Sequence, residues 1–443
     1  MDTVLMAGAG KMTITPSFGC EMSGFVARKD NCRGVHDDLF ARALVLSDGR
    51  SKVALVNTDL IGIDHHLLVR VRKEMAEYTD ISPDSLILGA THTHSGPAVL
   101  TGAYLGVIDP NYLAILVKNI AGAIYLANQS LEPVQASFGI SECRAVAKNR
   151  LKEASLIDPQ VLVVRFDGVK GLKALLVNYA CHPVVLGPDN LLISADYPYY
   201  LSDALERIYP TAQVMFFNGA TGDLNVGHKT EDSIKGGPNP KRTFTEAGRI
   251  GRLLAGEALR AAETVIPVTK TKLRFDSRLI KLPLEPLFTP GDYRKEVYRW
   301  KELSTALQKK QASFGEYHQA DLWGDWAKRT AELAEAGRLN QFISTEIASL
   351  IIGEIEFATL PGEFFHEFGL KIKETRGPHQ VMVMGYCNGD IGYVAPESFY
   401  EENCYEVTDS YRYYGLPARL VKGAGEKVVE EVLAMMKQLS AKA

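Results

Sequence analysis

The chain reads as an α/β protein, with a mixed, largely parallel sheet flanked by helices and an inserted helical hairpin. Three observations predict it. Apolar, β-type runs repeatedly lead into a helical pattern and then into a second apolar run, and such strand–helix–strand units are the mark of α/β architecture. Two of these units echo each other. Lys52-Val53-Ala54-Leu55-Val56-Asn57 parallels Lys173-Ala174-Leu175-Leu176-Val177-Asn178, and each unit's second strand runs into Gly-Ala-Thr, at 89–91 and 219–221. Last, residues 289–338 differ in character: they are charged, helical in period and carry Trp300, Trp323 and Trp326.

Taken in order, the runs 39–46 and 52–57 flank Ser47-Asp48-Gly49-Arg50, a hairpin signal. A helix is predicted over about 64–79. The run Ser85-Leu86-Ile87-Leu88-Gly89 reads as a buried strand, and Ser95-Gly96-Pro97 ends the segment after it. Residues 109–127 read as a helix. A third unit comes late, with a strand at 354–360, a helix over about 364–376 and a strand at 380–385. The helices at 293–311 and 319–336 are expected to pack on the sheet as a hairpin, with a lid over the site as the functional alternative.

Composition narrows the function. A chain of 443 residues holds a large core, in one elaborate domain or two, and no Pro-rich linker marks a boundary. A net charge of −4 offers nothing to nucleic acid or to an anionic membrane surface. No window approaches the roughly 18 uncharged apolar residues of a membrane span. The N-terminus lacks the basic region of a signal peptide. The cysteines at 20, 32, 143, 181, 387 and 404 form no CxxC and are expected to be reduced thiols. A cytoplasmic protein with a small-molecule substrate is expected, without nucleic acid or stable membrane insertion.

Sheets of this kind carry their sites at the carboxyl ends of the strands. That rule selects His92 and His94, then Cys181-His182-Pro183, then Asn218 to Asn225, then Pro361-Gly362-Glu363, and last Asn388 to Tyr393. The most informative stretch is Ala90-Thr91-His92-Thr93-His94-Ser95-Gly96-Pro97. On extended backbone, two imidazoles at i and i+2 point to one side, so both can face one cation or one substrate. Imidazole is a preferred zinc ligand and the usual acid or base near neutral pH. Cys181, one residue before His182, points the other way and reads as a buried apolar thiol.

The same strand ends, in the same order, carry a family resemblance. Gly8-Ala9-Gly10, Ile14-Thr15-Pro16, Met22-Ser23-Gly24-Phe25, Gly34 to Ala43, Ala90 to Pro97, Asn178 to Pro183, Ser194 to Pro198, Gly222-Asp223, Pro361-Gly362-Glu363 and Gly392-Tyr393 together resemble the catalytic domain of the neutral/alkaline (non-lysosomal) ceramidases. The resemblance implies one catalytic domain over 1–443 and a zinc hydrolase that cleaves an amide C–N bond with metal-activated water. It implies His92, His182, Glu363 and Tyr393 as metal ligands, His94 facing the substrate, and Arg150 close to the active site. The family carries a Ser after Gly-Asp-Val; here Gly222-Asp223-Leu224 is followed by Asn225. A Ser nucleophile is therefore excluded at that position. Asn225 is expected either to contact the substrate carbonyl or to tie down the Gly222-Asp223 turn. The family's C-terminal immunoglobulin-like domain and export signal find no counterpart, so the expected substrate is a soluble small molecule rather than ceramide. Two other readings stand beside this one: hydrolysis of a lactone, ester or cyclic polyol derivative in sugar or inositol catabolism, and a non-catalytic zinc-stabilised binding protein.

Overall fold

The computed structural model describes residues 4–104, 106–237, 239–377 and 380–441. Its main sheet is built from β1 (Met6–Thr13), β2 (Phe40–Ser47), β3 (Lys52–Thr58), β4 (Leu86–Ala90), β5 (Glu132–Glu142), β6 (Gln160–Gly168), β7 (Gly171–Tyr179) and β8 (Gln213–Asn218). They lie in the order β8-β7-β6-β5-β1-β2-β3-β4, and a short strand at Ile266–Pro267 pairs with β5. A second sheet runs β9 (Leu273–Pro283), β10 (Phe342–Ile352), β11 (Ile355–Thr359) and β12 (Val381–Met384). The longer helices are α1 (His65–Ala76), α2 (Pro110–Gln129), α3 (Tyr197–Ile208), α4 (Phe244–Ala262), α5 (Pro290–Lys309), α6 (Phe314–Glu335), α7 (His366–Arg376) and α8 (Ala424–Ala441).

Side-chain alternation stacks these pieces into four layers. In β2, Leu44 and Leu46 face the second sheet, where they join Leu350, Phe357 and Met382 in one core. Ala43 and Val45 of the same strand face the helices, against Leu68 of α1 and Ile120 of α2. Strands buried on both faces in this way read as near-continuous apolar runs. The β6–β8 half is covered by α3 and α4 through Leu201, Leu254 and Ala258. The outer face of the second sheet is covered by α7 and α8 through Ile372, Val432 and Met435.

The α/β class and the mixed sheet hold, but most strand pairings are antiparallel, not parallel as expected. Within these two sheets the parallel pairs are β3/β4, β7/β8 and β11/β12. They are the three strand–helix–strand units read from the sequence, with α1, α3 and α7 as their crossovers. A parallel partner needs a crossover of that length, whereas strands joined by tight turns pair antiparallel. β2 and β3 show the second case: Asp48 Oδ1 accepts from the Arg50 and Ser51 N–H groups at 2.9 and 2.8 Å and closes the predicted hairpin.

The strands at the two ends of the main sheet, β4 and β8, bring their carboxyl ends together: Asn218 Nδ2 donates to Thr91 O at 2.5 Å. The α5–α6 hairpin forms where predicted, but it packs on loops at the site's rim instead of on the sheet. Trp326 Nε1 donates to Leu416 O at 2.8 Å, Tyr293 Oη to Pro417 O at 3.0 Å, and Gln319 Nε2 to Tyr413 Oη at 2.6 Å. Trp300, Trp323 and Trp326 form the hairpin's own core with Tyr293, so it has little apolar surface left for a sheet. No helix among the described residues is long and apolar enough to cross a membrane.

Candidate metal centre

Four of the predicted residues converge. His92 lies beyond the end of β4, His182 beyond β7 and Glu363 beyond β11, with His94 two residues past His92. Glu363 Oε2 stands 2.7 Å from His182 Nε2 and 3.4 Å from His92 Nε2. His94 Nε2 lies 3.1 Å from His92 Nε2. Ligating atoms of His92, His94 and His182 all fall within 4.8 Å of one another. The two motif histidines meet by a route other than the expected extended strand. The strand ends at Ala90, and His92 takes φ 68°. That left-handed conformation costs an L residue about 1–2 kcal/mol. It is held by His92 N–H donating to Leu60 O at 2.9 Å and by the ring nitrogen Nδ1 at 2.5 Å from Ile61 O.

The other ring nitrogens define the chemistry. Nδ1 of His182 lies 2.8 Å from Thr221 O and 3.0 Å from Leu224 O, and Nδ1 of His94 lies 3.0 Å from Gly24 O. A carbonyl only accepts, so each Nδ1 carries the proton and each Nε2 presents a lone pair. Three lone pairs and a carboxylate oxygen thus point at one another in a buried pocket. Such a donor set fits a cation, and outer hydrogen bonds of this kind orient metal-binding imidazoles. Burial, reinforced by the His92 and His182 rings, holds His94 well below the usual histidine range. Burial would raise the Glu363 carboxyl, but the His92 and His182 rings hold it well below the usual carboxylate range.

Tyr393 and Glu363 are register partners in a short parallel pairing, Glu363–Phe364 with Tyr393–Val394. The Tyr393 ring lies parallel to His182 at 6.3 Å, within 15°. Burial holds its phenol well above the usual range, against the opposing pull of Arg150. Arg150 is buried beside it, 5.1 Å from the ring, with Nη2 at 2.8 Å from both Gly222 O and Glu406 Oε1. Asn225 lines the same cavity as His94, Arg150 and His182. Its side chain is committed to a turn: Nδ2 donates to His228 O at 2.7 Å, and Oδ1 accepts from Gly227 and His228 N–H at 2.8 and 3.1 Å. The turn it ties is 225–228, which follows the Gly222-Asp223 turn it was expected to hold.

Sequence reasoning missed the aromatic shell. Tyr414 Oη donates to Glu363 Oε1, leaving Oε2 for the histidines. Tyr386 stacks on His92 at 4.1 Å and 19°, and its hydroxyl pairs with Thr221 Oγ1 at 2.5 Å. Tyr405 and Tyr413 line the cavity beside Tyr393. Asp390 is half-buried near His92 and Glu363, and its carboxyl is pushed up to about 7, by burial first and then by the Glu363 charge. The only signal of this shell in the sequence is the density of tyrosines over 405–414. Cys181 is buried and free, as expected.

The layered sheets that carry this buried histidine–carboxylate cluster at their strand ends are also what the chain shares with known proteins of similar fold. The resemblance to the ceramidases holds: residues 5–219 match the family described as neutral/alkaline non-lysosomal ceramidase, N-terminal. The neutral ceramidase of Pseudomonas aeruginosa is 27% identical over 467 residues, covering 90% of this chain and 68% of that protein. The neutral ceramidase of Mycobacterium tuberculosis is 23% identical, covering 66% of this chain and 50% of that protein. Two solved structures share the fold. A ceramidase complexed with C2 superposes with a TM-score of 0.75 at 20% identity, covering 100% of this chain and 76% of the other. The crystal structure of the Pseudomonas aeruginosa neutral ceramidase gives 0.73 at 22%, covering 99% and 75%. These relatives support a hydrolase.

Proposed function

We propose that the chain is a zinc-dependent hydrolase of amide C–N bonds, acting on a soluble small molecule. The observation that carries this reading is the convergence of the His92 and His182 Nε2 lone pairs on Glu363 Oε2, with His94 Nε2 beside them. His92, His182 and Glu363 would hold the ion, with Tyr393 at the rim. Two imidazoles and a carboxylate leave room for water and substrate, the pattern of catalytic rather than structural zinc sites. When bound, the ion supplies Lewis acidity at the scissile carbonyl and acidifies water there. His94, neutral and tethered through Nδ1 to Gly24, offers its Nε2 lone pair to a proton bound for the leaving nitrogen. Arg150, fixed by Glu406 and Gly222, orients the Tyr393 phenol. A soluble substrate is supported by the cavity wall, which carries the polar side chains of Lys229, Thr230 and Ser233 along with the tyrosines.

The test is a rate comparison on purified, metal-assayed protein. Short-chain N-acyl amides should be cleaved, chelation should stop turnover, and zinc should restore it. Long-chain ceramide cleaved well above the soluble amides would overturn the substrate half of the reading. Undiminished turnover after verified metal removal would overturn the rest.

A further inference from the structure

Cys20 and Cys32 meet at the base of the loop 21–31, which forms one wall of the centre. Cys32 N–H donates to Cys20 O at 2.9 Å, and the two thiols lie within hydrogen-bonding reach of each other. Through standard backbone dimensions that hydrogen bond keeps the two Cα atoms within roughly 7 Å of each other, the limit of the span that a disulfide bridges. Both thiols are free. Cys32 is buried, while Cys20 is partly exposed and opens onto a surface cavity of about 260 Å³ beside Glu21, Asn31 and Tyr112. A small-molecule oxidant therefore reaches one thiol directly and the second only through the first.

The loop between them bears on His94. Gly24 has φ +104°, and a Cβ there would stand 2.5 Å from His94 Nδ1, so the backbone lies directly against the ring. Gly24 O accepts from that nitrogen at 3.0 Å. Arg28, also in the loop, donates Nη1 to Ser23 O and Nη2 to His94 O, both at 2.8 Å, and Nε to Asn190 O at 3.2 Å. Whatever fixes the base of this loop fixes the cradle of His94.

We propose that Cys20 and Cys32 form an oxidisable pair whose disulfide staples the 21–31 loop against His94. The exchange balances with a low-molecular-weight disulfide such as oxidised glutathione. The Cys20 thiolate, having lost its proton to water, attacks one glutathione sulfur and expels a glutathione thiolate. The Cys32 thiolate then attacks the Cys20 sulfur, forms the Cys20–Cys32 bond and expels the second glutathione. Two protein thiols are oxidised and one small disulfide is reduced to two thiols. Burial first, and then the adjacent Cys32, push the Cys20 thiol up to about 12. A thiol held so high exchanges slowly and is a poor leaving group, so the bridge behaves as a durable staple and not as a fast sensor.

The experiment treats native, metal-assayed protein with excess oxidised glutathione overnight at mildly alkaline pH, and reads the product by non-reducing peptide mass spectrometry and thiol titration. The expected result is a loss of two titratable thiols, a peptide cross-linked through Cys20 and Cys32 with no glutathione adduct there, and an unfolding midpoint raised by roughly 3–6 °C. Cys20→Ser should abolish the cross-link and the midpoint rise while leaving the reduced protein's activity unchanged, and Cys32→Ser should do the same, trapping glutathione on Cys20. Overturning results are a stable glutathione adduct on Cys20 beside a free Cys32 in the unsubstituted protein, a cross-link to a different cysteine, or both thiols unreacted.

Discussion

His92 and His94 share a motif and a pocket, yet they are held by different things, and that difference predicts different losses. His92 Nδ1 is tied to Ile61 O beneath β4, and its Nε2 faces Glu363. His94 is tied to a backbone anchor, the Gly24 carbonyl, and its ring faces Phe25 at 4.9 Å on the substrate side. His94→Ala should therefore keep the metal and lose on the order of a hundredfold or more in kcat, the scale of a general acid–base group. Metal analysis beside single-turnover rates checks this, and loss of the ion would make His94 a ligand instead. Tyr414 makes a subtler prediction. Its hydroxyl occupies Glu363 Oε1 and so decides which carboxylate oxygen faces the histidines. Tyr414→Phe should weaken metal affinity by about 10–100-fold, the usual cost of losing such an outer partner. Competition against a chromogenic chelator reads that directly. The pairing was invisible in the sequence because Tyr414 lies far along the chain from Glu363; Gly392, where a Cβ would stand 2.6 Å from the Tyr414 ring, is what lets them meet.

The elements were legible wherever local pattern dictates them. The three strand–helix–strand units, the 47–50 turn and the α5–α6 hairpin all stand where periodicity and turn chemistry placed them. What pattern does not encode is pairing direction across long separations. β5 meets β1 antiparallel through Met6 and Pro133, and nothing near either residue states it. One contact between elements carries its own pH signature. His366 opens α7, donates its N–H to Asp223 Oδ1 at 2.8 Å, and sets Nδ1 at 2.6 Å from Asp223 Oδ2. This clamps α7 to the turn that also supplies His182 with its carbonyl partners. Burial would lower the His366 pKa, but Asp223 raises it overall. A raised folded-state pKa stabilises the fold fully below the ordinary histidine value of about 6.5 and loses that contribution as pH rises through the folded value. His366→Asn should thus cost about 1–3 kcal/mol at pH 6 and less at pH 9. Urea unfolding of both proteins at the two pH values measures it, and an equal cost at both would remove the charge from the explanation.

At the scale of the molecule, the centre is a junction between the two sheets. His92 comes from one end of the main sheet through β4, His182 from near the other end through β7, and Glu363 from the second sheet through β11. The apolar core between the sheets holds them together over most of their area, but at this rim the contacts are polar and converge on lone pairs. A cation there would add a cross-link between three strand ends already joined by hydrogen bonds such as Asn218 to Thr91 O and Asn178 to Val383 O. Binding to the folded state alone stabilises by mass action, about 4 kcal/mol when the free ion is a thousandfold above its Kd. The metal-loaded protein should therefore unfold several degrees above the chelated one, and added zinc should raise the midpoint progressively with concentration. His92→Ala should flatten that dependence and abolish activity, because it removes one of the three strands from the junction. His94→Ala should leave the dependence intact. A midpoint indifferent to zinc in the unsubstituted protein, measured by calorimetry after verified metal removal, would show that the three strand ends are held without an ion.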